Sequence, residues 1–127
     1  MMPRRYRLAA ATLTGSVLLI VARGRAQPAG NGKALFDRRC GGCHAIDRDK
    51  EGPRLGGVYG RTAGSVDSFE YSEALKASGI VWNAETLEKW LANPGQLVPN
   101  NNMSFHLENG GERRDIIDYL KKRSANN

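Results

Sequence analysis

Only two cysteines occur in this chain of 127 residues, and they stand three positions apart at Cys40 and Cys43. A bridge between residues so close encloses too small a loop to stabilise much, so a disulfide framework is excluded. Acidic residues are missing altogether from residues 1–26, which hold five arginines and 15 hydrophobic residues. The formal charge of +6 therefore belongs mostly to that segment, because residues 27–127 carry 14 Lys/Arg against 13 Asp/Glu and come to +1. No Lys/Arg-rich face with interleaved aromatics occurs, which excludes a nucleic-acid partner despite a pI near 9.7. Apolar bulk is short as well. Residues 27–127 contain 19 Leu, Ile, Val and Phe in 101, close to the ~20% level below which chains stay disordered. Glycine takes 13 of the same 101 positions, against a usual ~7%, which lengthens loops and raises the entropy lost on folding. A mass of 13.9 kDa suits one domain and no multidomain enzyme. A single small domain with so thin a core calls for a bound metal or cofactor to fill it.

Residues 1–26 read as a secretory signal. Arg4, Arg5 and Arg7 precede an apolar run from Leu8 to Ala22, followed by Gly24, Arg25 and Ala26. Cleavage after Ala26 leaves residues 27–127 as the mature domain, exported most simply to a bacterial periplasm. The competing reading is an uncleaved anchor that tethers the domain to a membrane. Arg23 and Arg25 beside the cut favour it. Length opposes it, since a helix over the run spans only ~22 Å against a hydrocarbon core of ~30 Å. No second apolar stretch follows.

The mature part shows helical spacing and no strand alternation or internal repeat, so its class is mainly α. A first helix is expected from about Gly32 to Cys43, with Phe36 and Cys40 on one face. A breaker-rich loop follows through Gly52-Pro53, Gly56-Gly57 and Gly60. A short helix is expected around Ser72 to Ser78. Asn83 can cap a third, whose Leu87, Trp90 and Leu91 share a face and which Asn93-Pro94 stops. From Trp90 to Leu107 the 18 residues include no Asp, Glu, Lys or Arg, and this stretch reads mostly as a wrapping loop. Asn109 to Glu112 resemble a capped start for a last helix striped by Ile116, Ile117 and Leu120.

The chemistry lies in the run Cys40-Gly41-Gly42-Cys43-His44. Cys-x-x-Cys-His is the spacing of c-type haem attachment: two thiols can bond to the two vinyl groups on one porphyrin edge while the adjacent imidazole reaches the iron. A structural zinc needs four ligands, and only His106 and carboxylates remain to join these three. A thioredoxin-like redox pair belongs in a βαβ pattern, which is absent. For the second axial ligand, Met1 and Met2 lie in the leader, which leaves Met103 as the mature chain's sole methionine. A lone methionine is more often core filler, but a haem motif elsewhere in the chain reverses that weighing. His106 is the alternative strong ligand, or else a solvated loop side chain.

With these residues in place the sequence resembles the small class I cytochromes c, of mitochondrial and bacterial type, over nearly all of residues 30–123. Gly32 and Phe36 match first-helix positions that pack against the last helix at Ile116 and Tyr119. The resemblance implies a cytochrome c fold, three to five helices and long loops wrapped around one haem bound through Cys40 and Cys43. It implies further that the carbonyl of Pro53, in a loop with Gly52 and Leu55, accepts a hydrogen bond from His44 and strengthens it as a ligand. Arg61, Tyr71 and Trp82 fall where the family meets the haem propionates; as bare residues they read equally as a surface charge and core aromatics. Pro99, Met103 and Phe105 match the distal loop. Leu75, Trp90 and Asn101 stand where the family often has Asn, Tyr and Thr near the methionine. Gly95 and Gln96 replace lysines that meet partners in mitochondrial members, and Ala63 replaces a threonine. Arg38 and Arg39, just before Cys40, are then the expected basic rim of a docking surface.

An iron held by His44 and Met103 has no open site for a substrate, and thioether ligation raises the potential. The expectation is a monomeric electron carrier between membrane or periplasmic redox proteins, and not an enzyme. The alternatives are a haem c subunit of a dedicated dehydrogenase or reductase, and a peroxidase-like protein.

Overall fold

The computed structural model describes residues 31–126, which form five helices and no strand. The expected signal at 1–26 lies outside the described residues. Helix α1 spans Gly32–Arg39, α2 Glu73–Lys76, α3 Ala84–Ala92, α4 Pro94–Leu97 and α5 Gly110–Ala125. An isolated bridge between Thr62 and Val81 draws the two ends of the middle loop together. Among the described residues no helix is long and apolar enough to cross a membrane.

The frame is α1 packed against α5, with α3 packed against α5 beside it. Gly32 makes the first contact possible. A side chain there would strike the Asp115 carbonyl oxygen and come within 2.8 Å of Tyr119 Cβ, so only glycine lets the backbones approach this closely. One turn on, the Phe36 and Tyr119 rings lie 5.4 Å apart at 48°, a favourable tilted geometry. Ile116 sits at the centre with 0% exposure, and Leu35, Ile117 and Leu120 surround it. Burial of four such side chains contributes about 1.5–3 kcal/mol each.

Local signals set the helix ends. Asn83 and Thr86 form a reciprocal capping box at α3: Asn83 Oδ1 accepts from the Thr86 amide at 3.0 Å, and Thr86 Oγ1 accepts from the Asn83 amide at 2.9 Å. Ser72 caps α2, and Asn109 Oδ1 accepts from the amides of Gly111 and Glu112 to start α5.

One expectation needs correction and another is refined. The first helix ends at Arg39, not at Cys43, because Gly41-Gly42 carry the largest entropy cost of helical backbone and the chain tightens into a turn. The stretch after Asn93 is not all loop. Asn93 ends α3 and also caps α4, its Oδ1 accepting from the Gln96 amide at 3.1 Å, while Pro94 fills a first-turn position that needs no amide partner.

Candidate haem site

The turn after α1 presents the Cys-x-x-Cys-His run. Cys40 O accepts from the amides of Cys43 at 3.1 Å and His44 at 2.8 Å, which curls the three side-chain-bearing residues around one carbonyl. Opposite, the amide of Gly52 donates to Cys43 O and the amide of Leu55 to Ala45 O, so residues 43–46 are laced to 52–56. His44 Nδ1 donates to Pro53 O at 2.8 Å. A carbonyl can only accept, so this bond fixes the tautomer and leaves the Nε2 lone pair for a metal. Gly52 lies flat against the ring: a Cβ there would collide with His44 Cε1 and come within 2.6 Å of Nδ1. Burial holds the imidazole below its ordinary pKa, against the Pro53 bond that raises it, which favours the neutral form that binds metals.

All eleven residues singled out for the cofactor, namely Cys40, Cys43, His44, Pro53, Leu55, Arg61, Tyr71, Trp82, Trp90, Met103 and Phe105, line one cavity of about 390 Å³. Burial pushes the Cys40 thiol up to about 11, and a hydrogen bond with Glu51 raises Cys43. Before haem is attached both are therefore protonated thiols near neutrality. Trp82 and Trp90, both lining the cavity, meet edge to face at 5.3 Å. Arg61 is half-buried and donates to the carbonyls of Gly56 and Arg54 at 3.2 and 3.0 Å. Burial lowers its pKa, so the pocket edge holds a partly desolvated cation whose own hydrogen bonds go to carbonyls. Tyr71 stands near it, its pKa raised by burial, and packs edge to face on Phe69 at 4.9 Å.

The Met103 loop is held differently. Asn100 adopts φ +66°, a left-handed turn that asparagine tolerates. The side chain of Asn101 then works in both directions: Nδ2 donates to Val98 O at 2.8 Å and Oδ1 accepts from the Met103 amide at 2.7 Å. Phe105 follows with 40% of its surface exposed. His106 points into solvent, 3.8 Å from Glu108.

Some residues of the site were not foreseen. Phe69, Leu87, Ile116 and Leu120 also line the cavity. The helical stripes mark the last three as buried without saying what they face. The role of Gly52 as a floor for the imidazole is visible only in space. The basic rim is narrower than the sequence implies, because Arg39, though exposed, has Nε and Nη2 bound to Glu112 at 3.0 and 3.2 Å, while Arg38 is exposed without such a bond.

The donor set is two thiols, an imidazole and a thioether on apolar walls, with a partly desolvated cation at one edge. It fits a covalently bound haem with anionic substituents. Among the described residues no three His, Cys, Asp or Glu cluster to hold a metal ion.

The profile of the cytochrome c family matches residues 29–124. The chain is similar to cytochrome c 2.1 of Caenorhabditis elegans, with 44% identity over 77% of this chain and 94% of that protein. It is similar also to cytochrome c of Gibberella zeae, with 43% identity over 71% of this chain and 89% of that protein. Among solved structures, cytochrome cH from Methylobacterium extorquens superposes with a TM-score of 0.70 and 38% identity, covering 74% of this chain and 97% of that one. The turn that presents two thiols beside an imidazole, the single cavity they share and the extent of these matches place this chain in the cytochrome c family, with one haem c bound covalently through Cys40 and Cys43.

Proposed function

We propose that this chain is an exported one-electron carrier whose haem iron is held by His44 and Met103. The observation that supports this best is that the only imidazole bonded to a loop carbonyl and the only methionine beyond the leader line the same cavity as the two thiols. Bound haem supplies a single-electron ferric/ferrous couple. The protein's own part is to hold it: Pro53 orients His44 and strengthens it as a donor, Asn101 sets the backbone of Met103, and Arg61 and Tyr71 offer donors to anionic groups. A thioether ligand favours the reduced iron and raises the potential. Were the iron held by both His44 and Met103, no ligand position would be left for a substrate, so the role proposed is transfer between membrane or periplasmic redox proteins and not catalysis.

The test is the ferric spectrum of the haem-loaded protein. A thioether-to-iron charge-transfer band is expected, and Met103→Ala should abolish it and lower the potential. A band that survives this substitution overturns the assignment. Export is tested at the N-terminus: the mature protein should begin at Gln27. Purification from the host as a free monomer supports a carrier, and stable co-elution with a dehydrogenase or reductase supports a dedicated subunit.

A further inference from the structure

Beyond Met103 the backbone of Ser104–His106 makes no hydrogen bond to the rest of the described residues. The chain is caught again at Leu107, whose amide donates to Leu91 O of α3 at 2.7 Å. Arg113, in the second turn of α5, reaches back over that point. Its Nη1 donates to Leu107 O at 2.6 Å and Glu108 O at 2.8 Å, and its Nε donates to Glu88 Oε1 of α3 at 2.6 Å. Only 15% of this side chain is exposed. One guanidinium thus joins α3, α5 and the end of the loop that carries Met103. Gly110 leaves room for it, since a side chain there would press within 3.3 Å of Arg113 Nη2.

Glu88 is an expensive partner. Although 38% of its side chain is open, its Oε2 is buried without a hydrogen bond. An unpaired buried oxygen carries a desolvation cost, so the pair is a poor source of net stability and a good source of fixed geometry. A lysine could not reproduce it, because a planar fork is needed to serve acceptors from a loop and a helix together.

We propose that Arg113, braced by Glu88, is a positioning residue for Met103, a role that rests on reading Met103 as the distal ligand. With the Leu107 amide it pins the C-terminal end of the untied Ser104–His106 segment and so sets how readily the thioether leaves the cavity. Such local opening differs from global unfolding, and different contacts govern the two.

The experiment measures imidazole uptake by the ferric, haem-loaded full chain, in which an incoming ligand must wait for the loop to open. Alongside it, hydrogen exchange is followed at the Leu107 amide and global stability by denaturant. Arg113→Gln should take up imidazole on the order of tenfold faster, the factor that about 1.4 kcal/mol of lost closure energy corresponds to. Glu88→Gln and Arg113→Lys should fall between it and the wild type, with Leu107 exchange rising in the same order. Ile117→Val, a buried control elsewhere on α5, should lower global stability and leave both local readouts unmoved. Uptake that is unchanged in the three clamp variants, or that tracks global stability on the same line as Ile117→Val, overturns the proposal. Should Arg113→Gln fail to fold, Arg113→Lys and Glu88→Gln decide. Met103→Ala, run in parallel, should take up imidazole fast. If it keeps the thioether band, the ligation reading fails, and Leu107 exchange still tests the clamp by itself.

Discussion

The two sides of the cavity are built on opposite plans. Around His44 the chain is laced by short backbone bonds from 43–46 to 52–56, and Lys50 reaches Gly41 O while Asp49 receives the Arg54 amide. Around Met103 there is one Asn101 side chain, then three exposed residues, then Leu107 and the Arg113 clamp. The first side is rigid because its own backbone closes on itself; the second is held at its ends. If His44 and Met103 hold the iron as proposed, the methionine side is the one that conditions can alter.

The largest test removes what both sides share. Cys40→Ser with Cys43→Ser leaves no covalent cofactor, and the cavity walls, including Trp82, Trp90 and Ile116, lose the body they pack on. The whole folding free energy, about 5–15 kcal/mol for a domain of this kind, should be lost. Near-UV circular dichroism should show no tertiary signal, and a native-like spectrum would mean the protein core suffices alone.

The contrast itself is probed by matched substitutions. Gly52→Ala pushes a methyl into the His44 ring and should cost about 1–3 kcal/mol in denaturant unfolding, as overpacking does. Ser104→Ala, on the untied part of the distal loop, should stay within ~0.5 kcal/mol. Equal costs would erase the distinction.

Docking should reflect the same asymmetry. The distal stretch from Trp90 to Leu107 has no formal charge, and Arg39 is engaged by Glu112, so steering rests on Arg38. Electron-transfer rates with a membrane redox partner should fall by only a few-fold as salt rises to physiological strength, where the Debye length is ~8 Å. Arg38→Gln should remove most of that slope. A steep dependence that survives it would place the partner's contact elsewhere.

The smallest effect concerns acid. Asp49 is held below its ordinary value of 3.8 by a hydrogen bond from Ser68, then by the Arg54 amide. A carboxyl with a depressed folded-state pKa contributes stability above its unfolded value and loses it as pH falls through the folded one. Asp49→Asn should therefore reduce stability slightly at neutral pH and not below the acid range. The difference between the two proteins should shrink as pH falls beneath 3.8. A difference that is constant with pH would show that the carboxylate charge is irrelevant.

How far the sequence can be read follows from what kind of signal each residue carries. Asn83 and Asn109 announce their helices because a cap is a contact between near neighbours, written in consecutive letters. Cys40, Cys43 and His44 announce the cofactor for the same reason. The early end of α1 was hidden because Gly41 and Gly42 are compatible with a helix and only decide against it on balance. Helix α4 was hidden because Asn93 has to be read twice, as the end of one helix and the start of another. The contacts of Arg113, Glu88 and Gly52 could not be read: each acts on a residue from a different segment, and nothing local to them says which.

Gly52 sets a limit on how this protein can vary. Where most buried positions accept a slightly larger or smaller neighbour, the space beside His44 is already taken by the ring. Every single-base change in a glycine codon that alters the residue adds a side chain, so position 52 has no mild error available to it. Mutational drift, which elsewhere in a lineage is absorbed by small adjustments of packing, at this point meets the imidazole of His44 directly.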